Sequence, residues 1–224
     1  MIVPDNLKYG AISAFFTERA EGIDGKVPGR ISAYPETDIF SPLQRHTDTI
    51  INLDLSRDKT IADGVITSRK GVLLGISTAD CVPILIYDPQ KQVVGAVHAG
   101  WRGTSKGILK KALHSMSGAF GSMPANTLIA LGPAIRWCCY DVGKDVLESV
   151  TDATGEGKYS ITKNGKICLD LPSANMLQAI TSGVPEENIW ISKDCTYCCP
   201  ERFFSYRFSK TGGRQGAFIG IKSK

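Results

Sequence analysis

Cysteine and histidine held face to face can share a metal ion or act as nucleophile and base, and residues 81–98 place such a pair at the two ends of one apolar stretch. Cys81 opens the run Cys-Val-Pro-Ile-Leu-Ile-Tyr, and His98 closes the run Gln-Val-Val-Gly-Ala-Val-His. Between them, Asp88-Pro89-Gln90-Lys91 has proline at the second position of a type I turn. A hairpin with Asp88 opposite Lys91 carries Cys81 opposite His98. Opposed side chains on one face have Cβ atoms about 4.5–5.5 Å apart, close enough to share an ion. Proline cannot donate to a ladder, so a bulge or irregular start is expected near Pro83; a bulge there, or a slip of one residue, would undo the pairing.

A thiolate beside imidazoles suits zinc, and the chain holds three histidines. His114 stands beside Lys110 and Lys111 on the polar side of an expected helix and reads as solvated. His46, in Pro42-Leu43-Gln44-Arg45-His46-Thr47 just ahead of a strand, is the better third ligand. Three protein ligands leave a fourth position for water, the arrangement of a catalytic zinc site. From spacing alone, Cys81 is equally a small buried apolar side chain, and each histidine a hydrogen-bonded structural residue.

The elements that must position these groups follow from periodicity. Residues 11–17, 49–53, 71–77, 81–87, 92–98, 188–192 and 216–222 read as strands. The two central runs are apolar on both faces, as in the middle of a covered sheet. Residues 104–119 read as a helix with Ile108, Leu109, Ala112, Leu113 and Met116 on one face, capped by Thr104 or Ser105. Residues 144–151 and 173–183 read as two more, Pro172 fitting a first turn. Residues 20–38 are rich in glycine, proline and charge and read as loop. The expected fold is α+β: a layered sandwich of mixed sheets flanked by helices, a single domain over residues 1–224.

Composition narrows the class. The chain has 224 residues, 42% of them apolar, and a formal net charge of +4. That charge is too mild to point to nucleic acid, and no apolar run approaches the roughly 20 residues of a membrane span. Seven cysteines without a visible export signal point to reduced thiols in the cytoplasm. Cys195-Thr196-Tyr197-Cys198-Cys199 contains a Cys-x-x-Cys that, with Cys138 and Cys139, has the residue types of a second metal or redox site. The expectation for these is free thiols.

Several segments together resemble a known family. Ser77-Thr78-Ala79-Asp80-Cys81-Val82-Pro83-Ile84 and Val97-His98-Ala99-Gly100-Trp101-Arg102-Gly103 are its most specific motifs. Gln44-Arg45-His46, Ala62-Asp63-Gly64, Leu131-Gly132-Pro133, Cys139-Tyr140-Asp141-Val142-Gly143 and Phe203-Phe204-Ser205-Tyr206-Arg207 accompany them. Over residue 12 to the C-terminus the chain is similar to the laccase-domain family, formerly labelled multicopper polyphenol oxidases and now regarded as purine nucleoside phosphorylases. The resemblance implies zinc on His46, Cys81 and His98. It also implies phosphorolysis of adenosine, inosine, guanosine and S-methyl-5′-thioadenosine, and deamination of adenosine. One departure is the short segment 18–45, whose arginines are Arg19, Arg30 and Arg45 and which lacks the Asn-Arg pair usual in the family.

Phosphorolysis needs a phosphate site, and arginine forks match phosphate geometry. Arg102, ahead of an expected helix whose N-terminus favours anions, and Arg207 are the candidates; Arg214 reads as a solvated loop residue. Asp80 either reaches the site or caps a loop as a buried carboxylate. Phe203, Phe204 and Tyr206 either stack on a purine or fill the core. The usual nucleoside deaminase pattern, His-x-Glu with Pro-Cys-x-x-Cys, is absent. Two rival chemistries remain. A copper-dependent polyphenol oxidase would need many more histidines for its cluster than His114 supplies. A metal-free hydrolase would use Cys81 as nucleophile and His98 as its base.

Overall fold

The structure, a computed structural model, describes residues 1–21, 38–58, 60–210 and 212–223. Most of the expected 20–38 loop and of the short 18–45 segment lies outside the described residues. In chain order the strands and helices are β1 (Ile12–Phe16), β2 (Ile39–Phe40), β3 (Ile50–Asn52), β4 (Gly64–Thr67), β5 (Leu73–Thr78), β6 (Val82–Asp88), β7 (Val93–Ala99), α1 (Trp101–Ser105) and α2 (Ile108–Phe120). There follow β8 (Leu128–Leu131), β9 (Asp141–Val142), α3 (Lys144–Thr154), β10 (Ser160–Lys163), β11 (Lys166–Leu169), α4 (Leu171–Thr181), β12 (Ile189–Ile191) and β13 (Gln215–Ile221).

A six-stranded sheet, ordered β12-β8-β6-β7-β4-β3, lies between a four-stranded sheet, β1-β13-β5-β2, and the helices. The alternation of side chains along β6 and β7 explains why both runs are apolar throughout. Leu85, Tyr87, Val94 and Ala96 pack towards Phe16, Leu74, Ile76 and Ile219 of the second sheet. Ile84, Ile86, Val93 and Val97 point the other way, into Leu109, Leu113 and Met116 of α2 and Ala174 of α4. A third sheet, β10-β11-β9, adds a small flank. The architecture is the mixed α+β sandwich expected from the sequence, with the added strands 64–67, 128–131 and 160–169, which periodicity left unassigned.

Three local expectations are corrected. The β6–β7 hairpin pairs Asp88 with Val93, so His98 stands opposite Pro83 and not opposite Cys81. The cause is Asp88: its buried carboxylate accepts the N–H groups of Gln90 (2.8 Å) and Lys91 (3.0 Å), and Gln92 turns left-handed at φ 53°. The loop is therefore four residues long where two were expected. Second, of the bulge or irregular start expected near Pro83, the irregular start is present, with Asp80 left-handed at φ 86° just ahead of β6, and no bulge forms at Pro83 itself. Its backbone faces β8, where its carbonyl accepts from Gly132 N–H at 2.9 Å just beyond the strand end, so the missing donor interrupts no ladder. Third, the helix expected over 104–119 is broken. Gly107, left-handed at φ 66°, separates α1 from α2, and the residue before α1 is Gly100 in place of a capping Thr104 or Ser105.

The helix over 171–181 follows its sequence signals closely. Asp170 caps it, Oδ1 accepting from Ser173 N–H at 3.0 Å, and Pro172 occupies the first turn.

Candidate metal centre

The connection from β5 to β6 crosses from one large sheet to the other, and this crossing carries Asp80 and Cys81. Asp80 is left-handed at φ 86°, an uncommon state for a residue with a Cβ. Both carboxylate oxygens hold the turn in place: Oδ1 accepts from Thr196 Oγ1 at 2.6 Å, and Oδ2 from Arg207 N–H at 2.7 Å. Asp80 thus ties three segments together while lining the cavity described below.

His46 sits in a loop that a single carboxylate shapes. Asp63, fully buried before β4, accepts the successive N–H groups of Arg45 (3.1 Å), His46 (3.0 Å) and Thr47 (2.6 Å), and the Thr47 hydroxyl at 2.7 Å. Converging amides force the loop to curl, and His46 is left-handed at φ 58°. Gln44 fastens the same loop to β5, donating to Ser77 O and accepting from Ser77 N–H, both at 2.8 Å. Asp63 also takes Nδ1 of His98 at 2.7 Å, which leaves the other ring nitrogen of His98 for a ligand.

These pieces bring the ligand atoms of His46, Cys81 and His98 within 4.8 Å of one another, with Cys81 Sγ 3.9 Å from His46 Nε2. Position 100 extends the hairpin opposite Cys81, and it must be glycine: a Cβ there would lie 2.9 Å from Cys81 Sγ and 3.2 Å from His46 Cδ2. Burial opposes ionisation of the Cys81 thiol, but hydrogen bonds and charge from the two histidines outweigh it and bring it down to about 6. Burial likewise opposes the imidazolium of His98, yet Asp63 and then Cys81 push it up to about 9. Asp63 is held well below the usual carboxylate range: burial is overcome by His98 and by the Thr47 and Arg45 donors. Two imidazoles, one of them braced by a carboxylate, and a low-pKa thiolate form a donor set that fits a zinc-class ion.

The three groups line a cavity of about 750 Å³. Arg102 and Arg207 reach it, both exposed. The Arg102 guanidinium lies 4.4 Å from the centre of the Trp101 ring, and that of Arg207 lies 5.2 Å from the Tyr140 ring and pairs with Asp141 at 3.1 Å. Arg102 is inside α1, not ahead of a long helix, so it acts as a guanidinium without a macrodipole behind it. Arg214 is at the rim, bonded to Gly212 O and Gly213 O. Of the aromatic run, Tyr206 lines the cavity, whereas Phe203 is fully buried in the protein and Phe204 packs under Arg19. His114 is exposed on α2.

Sequence reasoning gave no role to Asp63, Gly100, Tyr140 or Thr78. All four lie inside quoted motifs, but only their contacts show what they do. Burial, then the nearby Cys81, push the Tyr140 phenol up to about 12, so it stays a neutral donor. The Thr78 hydroxyl, 1% exposed, has no hydrogen-bond partner among the described residues and lines the cavity. Nothing in a Thr-Ala-Asp-Cys string signals an unpaired hydroxyl.

The family model described as multi-copper polyphenol oxidoreductase laccase matches residues 29–222. The chain belongs to this laccase family. Among similar family proteins, a purine nucleoside phosphorylase of Clostridium acetobutylicum is 39% identical over 181 residues, 79% of this chain and 74% of that protein. One from Geobacillus stearothermophilus is 40% identical over 166 residues, 72% of this chain and 61% of that protein. A protein named adenosine deaminase, from an unknown prokaryotic organism, is 33% identical over 201 residues, 84% of this chain and 76% of that protein. Among solved structures, YlmD of Geobacillus stearothermophilus superposes with a TM-score of 0.85 at 30% identity, covering 96% of this chain and 93% of that one. The laccase-family fold therefore extends over nearly the whole chain.

Proposed function

We propose that this chain is a zinc-dependent purine nucleoside phosphorylase of the cytoplasm, acting on adenosine, inosine, guanosine and S-methyl-5′-thioadenosine, with adenosine deaminase activity. Seven unbridged thiols suit a reducing compartment. The observation that carries the reading is the His46, Cys81 and His98 cluster on the wall of a cavity that is also lined by Arg102, Arg207 and the unpaired Thr78 hydroxyl. The names of the relatives support the choice of substrate.

His46, Cys81 and His98 would hold the ion, which supplies Lewis-acid polarisation and activation of water when bound. The chain's own residues do the rest. Arg102 and Arg207 bind inorganic phosphate as paired forks at the cavity mouth. Trp101 and Tyr206 offer aromatic faces to the purine. Tyr140, held protonated, donates to an anionic oxygen, and the Thr78 hydroxyl bonds a ribose hydroxyl. Asp80 is a positioning residue: its carboxylate fixes the backbone of Arg207 and the turn that presents Cys81. A cavity of about 750 Å³ accommodates a nucleoside together with phosphate.

The copper oxidase suggested by the family's description lacks ligands. After His46 and His98, the sequence has His114 alone, and that residue is exposed on the far polar side of α2. Incubation of the zinc-loaded protein with adenosine and phosphate, followed by chromatography, tests the reading. Adenine with ribose 1-phosphate supports phosphorolysis and inosine supports deamination. Neither product, with an esterase activity that survives chelation and is lost in Cys81→Ala, would instead establish Cys81 as the nucleophile of a metal-free hydrolase.

A further inference from the structure

Two parallel neighbours, β8 and β12, run side by side, and each delivers a pair of cysteines just past its C-terminal end. After β8 come Cys138 and Cys139; after β12 come Cys195 and Cys198, with the adjacent Cys199 outside the group. The two extensions stay joined by Ser192 N–H to Leu131 O (2.8 Å), Thr196 N–H to Ala134 O (3.1 Å) and Arg136 Nη1 to Ser192 O (2.6 Å). The outcome is four sulfurs within 4.8 Å of one another, with Cys138–Cys198 at 3.6 Å and Cys139–Cys198 at 3.2 Å.

We propose that Cys138, Cys139, Cys195 and Cys198 form a second metal centre, a tetrathiolate site for a zinc-class ion that is structural and distinct from the His46–Cys81–His98 cluster. Zinc–sulfur bonds of about 2.3 Å set tetrahedral sulfur–sulfur edges at about 3.8 Å; the Cys138–Cys198 and Cys139–Cys198 separations of 3.6 and 3.2 Å lie just under that value, and all four sulfurs fall within 4.8 Å of one another. An iron–sulfur cluster would distribute the four cysteines over two or more irons and spread the sulfurs further apart. The surroundings match a thiolate site as well. Backbone amides of Cys198, Arg136 and Tyr197 point at the Cys195 sulfur, with Arg136 N–H at 3.4 Å, an arrangement that orients and stabilises a metal-bound thiolate. Cys195 is buried while Cys138 and Cys198 are exposed, so an ion can enter from solvent and the four thiols can release their protons to it. All four coordination positions are filled by protein, as in structural sites and unlike the three-ligand cluster.

The site would staple one wall of the cavity. Tyr140 follows Cys139 directly, and Thr196, between the second pair, bonds Asp80 beside Cys81. The inference stands apart from the reaction proposed above, because Cys81→Ser removes the first centre and leaves these four thiols.

The test is metal analysis with cobalt substitution, on protein kept reduced. The parent chain reconstituted with zinc is expected to hold two equivalents and Cys81→Ser one. Cobalt bound to Cys81→Ser is expected to show the intense visible bands and sulfur charge-transfer absorption of a tetrathiolate. Adding Cys138→Ser to that variant removes the spectrum. A parent chain holding a single zinc that Cys81→Ser abolishes overturns the proposal. So does cobalt in Cys81→Ser with a mixed nitrogen and sulfur spectrum, or a disulfide between Cys139 and Cys198 under those reducing conditions. The cobalt spectrum needs only Cys81→Ser, so it decides the matter even if the double variant fails to fold.

Discussion

At the scale of single residues, Asp63 does two jobs with one carboxylate. It orients His98 and shapes the backbone that carries His46. Asp63→Asn keeps the shape but replaces an acceptor with a donor facing amides. Zinc affinity is expected to fall about 10–100-fold, with a loss of about 1–3 kcal/mol in folding stability. Competition with a zinc-binding dye reads the first and urea unfolding the second; an unchanged affinity contradicts the bracing role. The Cys81–His98 couple makes a second prediction, for the chelator-stripped chain. His98, raised from 6.5 to about 9, contributes stability that is complete below pH 6.5 and lost as pH rises through about 9. Cys81, lowered from 9.0 to about 6, contributes stability that is present above pH 9 and lost as pH falls through about 6. Between those limits the folded and unfolded couples bind the same number of protons, so the two slopes nearly cancel. Cys81→Ser removes one of them. Its urea midpoint should fall from about pH 6.5 to about pH 8.5 while the parent's stays level, because Asp63 still raises His98. A variant as level as the parent would show that the couple is not the source.

At the scale of elements, the site depends on connections more than on strands. Gln44 pairs with Ser77 as a short imitation of a strand and holds the His46 loop against the end of β5. Gln44→Ala removes both bonds from a half-buried position. A destabilisation of about 1–2 kcal/mol is expected, together with weaker metal binding, because His46 is then anchored through Asp63 alone. Equal metal affinity in the parent and the variant would put the whole anchoring on Asp63. The hairpin shows why sequence placed Cys81 and His98 together for a reason that was half right. The pairing differs from expectation by two residues, and an even shift preserves the face. Cys81 therefore lies diagonal to His98 on the same side, and Gly100 takes the opposed position, where a side chain would not fit. The length of the turn was not legible because it rests on Asp88 capping its own loop while also accepting from Ser122, more than thirty residues away.

At the scale of the whole molecule, the layered α+β sandwich was readable from the doubly apolar β6 and β7 and the one-sided α2, since burial on two faces leaves a plain signature. The short strands β4 and β8 were not, being too brief to show a period of their own and held by neighbours distant in sequence. The same holds for the site. Cys81 and His98 came from local spacing and His46 from the family motif, whereas the grouping of Cys138, Cys139, Cys195 and Cys198 depends on β8 and β12 running in parallel. The central claim is that nucleoside turnover takes place at the His46–Cys81–His98 cluster. It is tested most directly by measuring adenine release from adenosine in phosphate buffer, using protein stripped of metal and then titrated with zinc. Turnover that is lost on stripping, returns with zinc in the parent chain and stays absent in Cys81→Ala is the predicted result. Turnover that persists without metal, or returns equally in Cys81→Ala, would contradict the account.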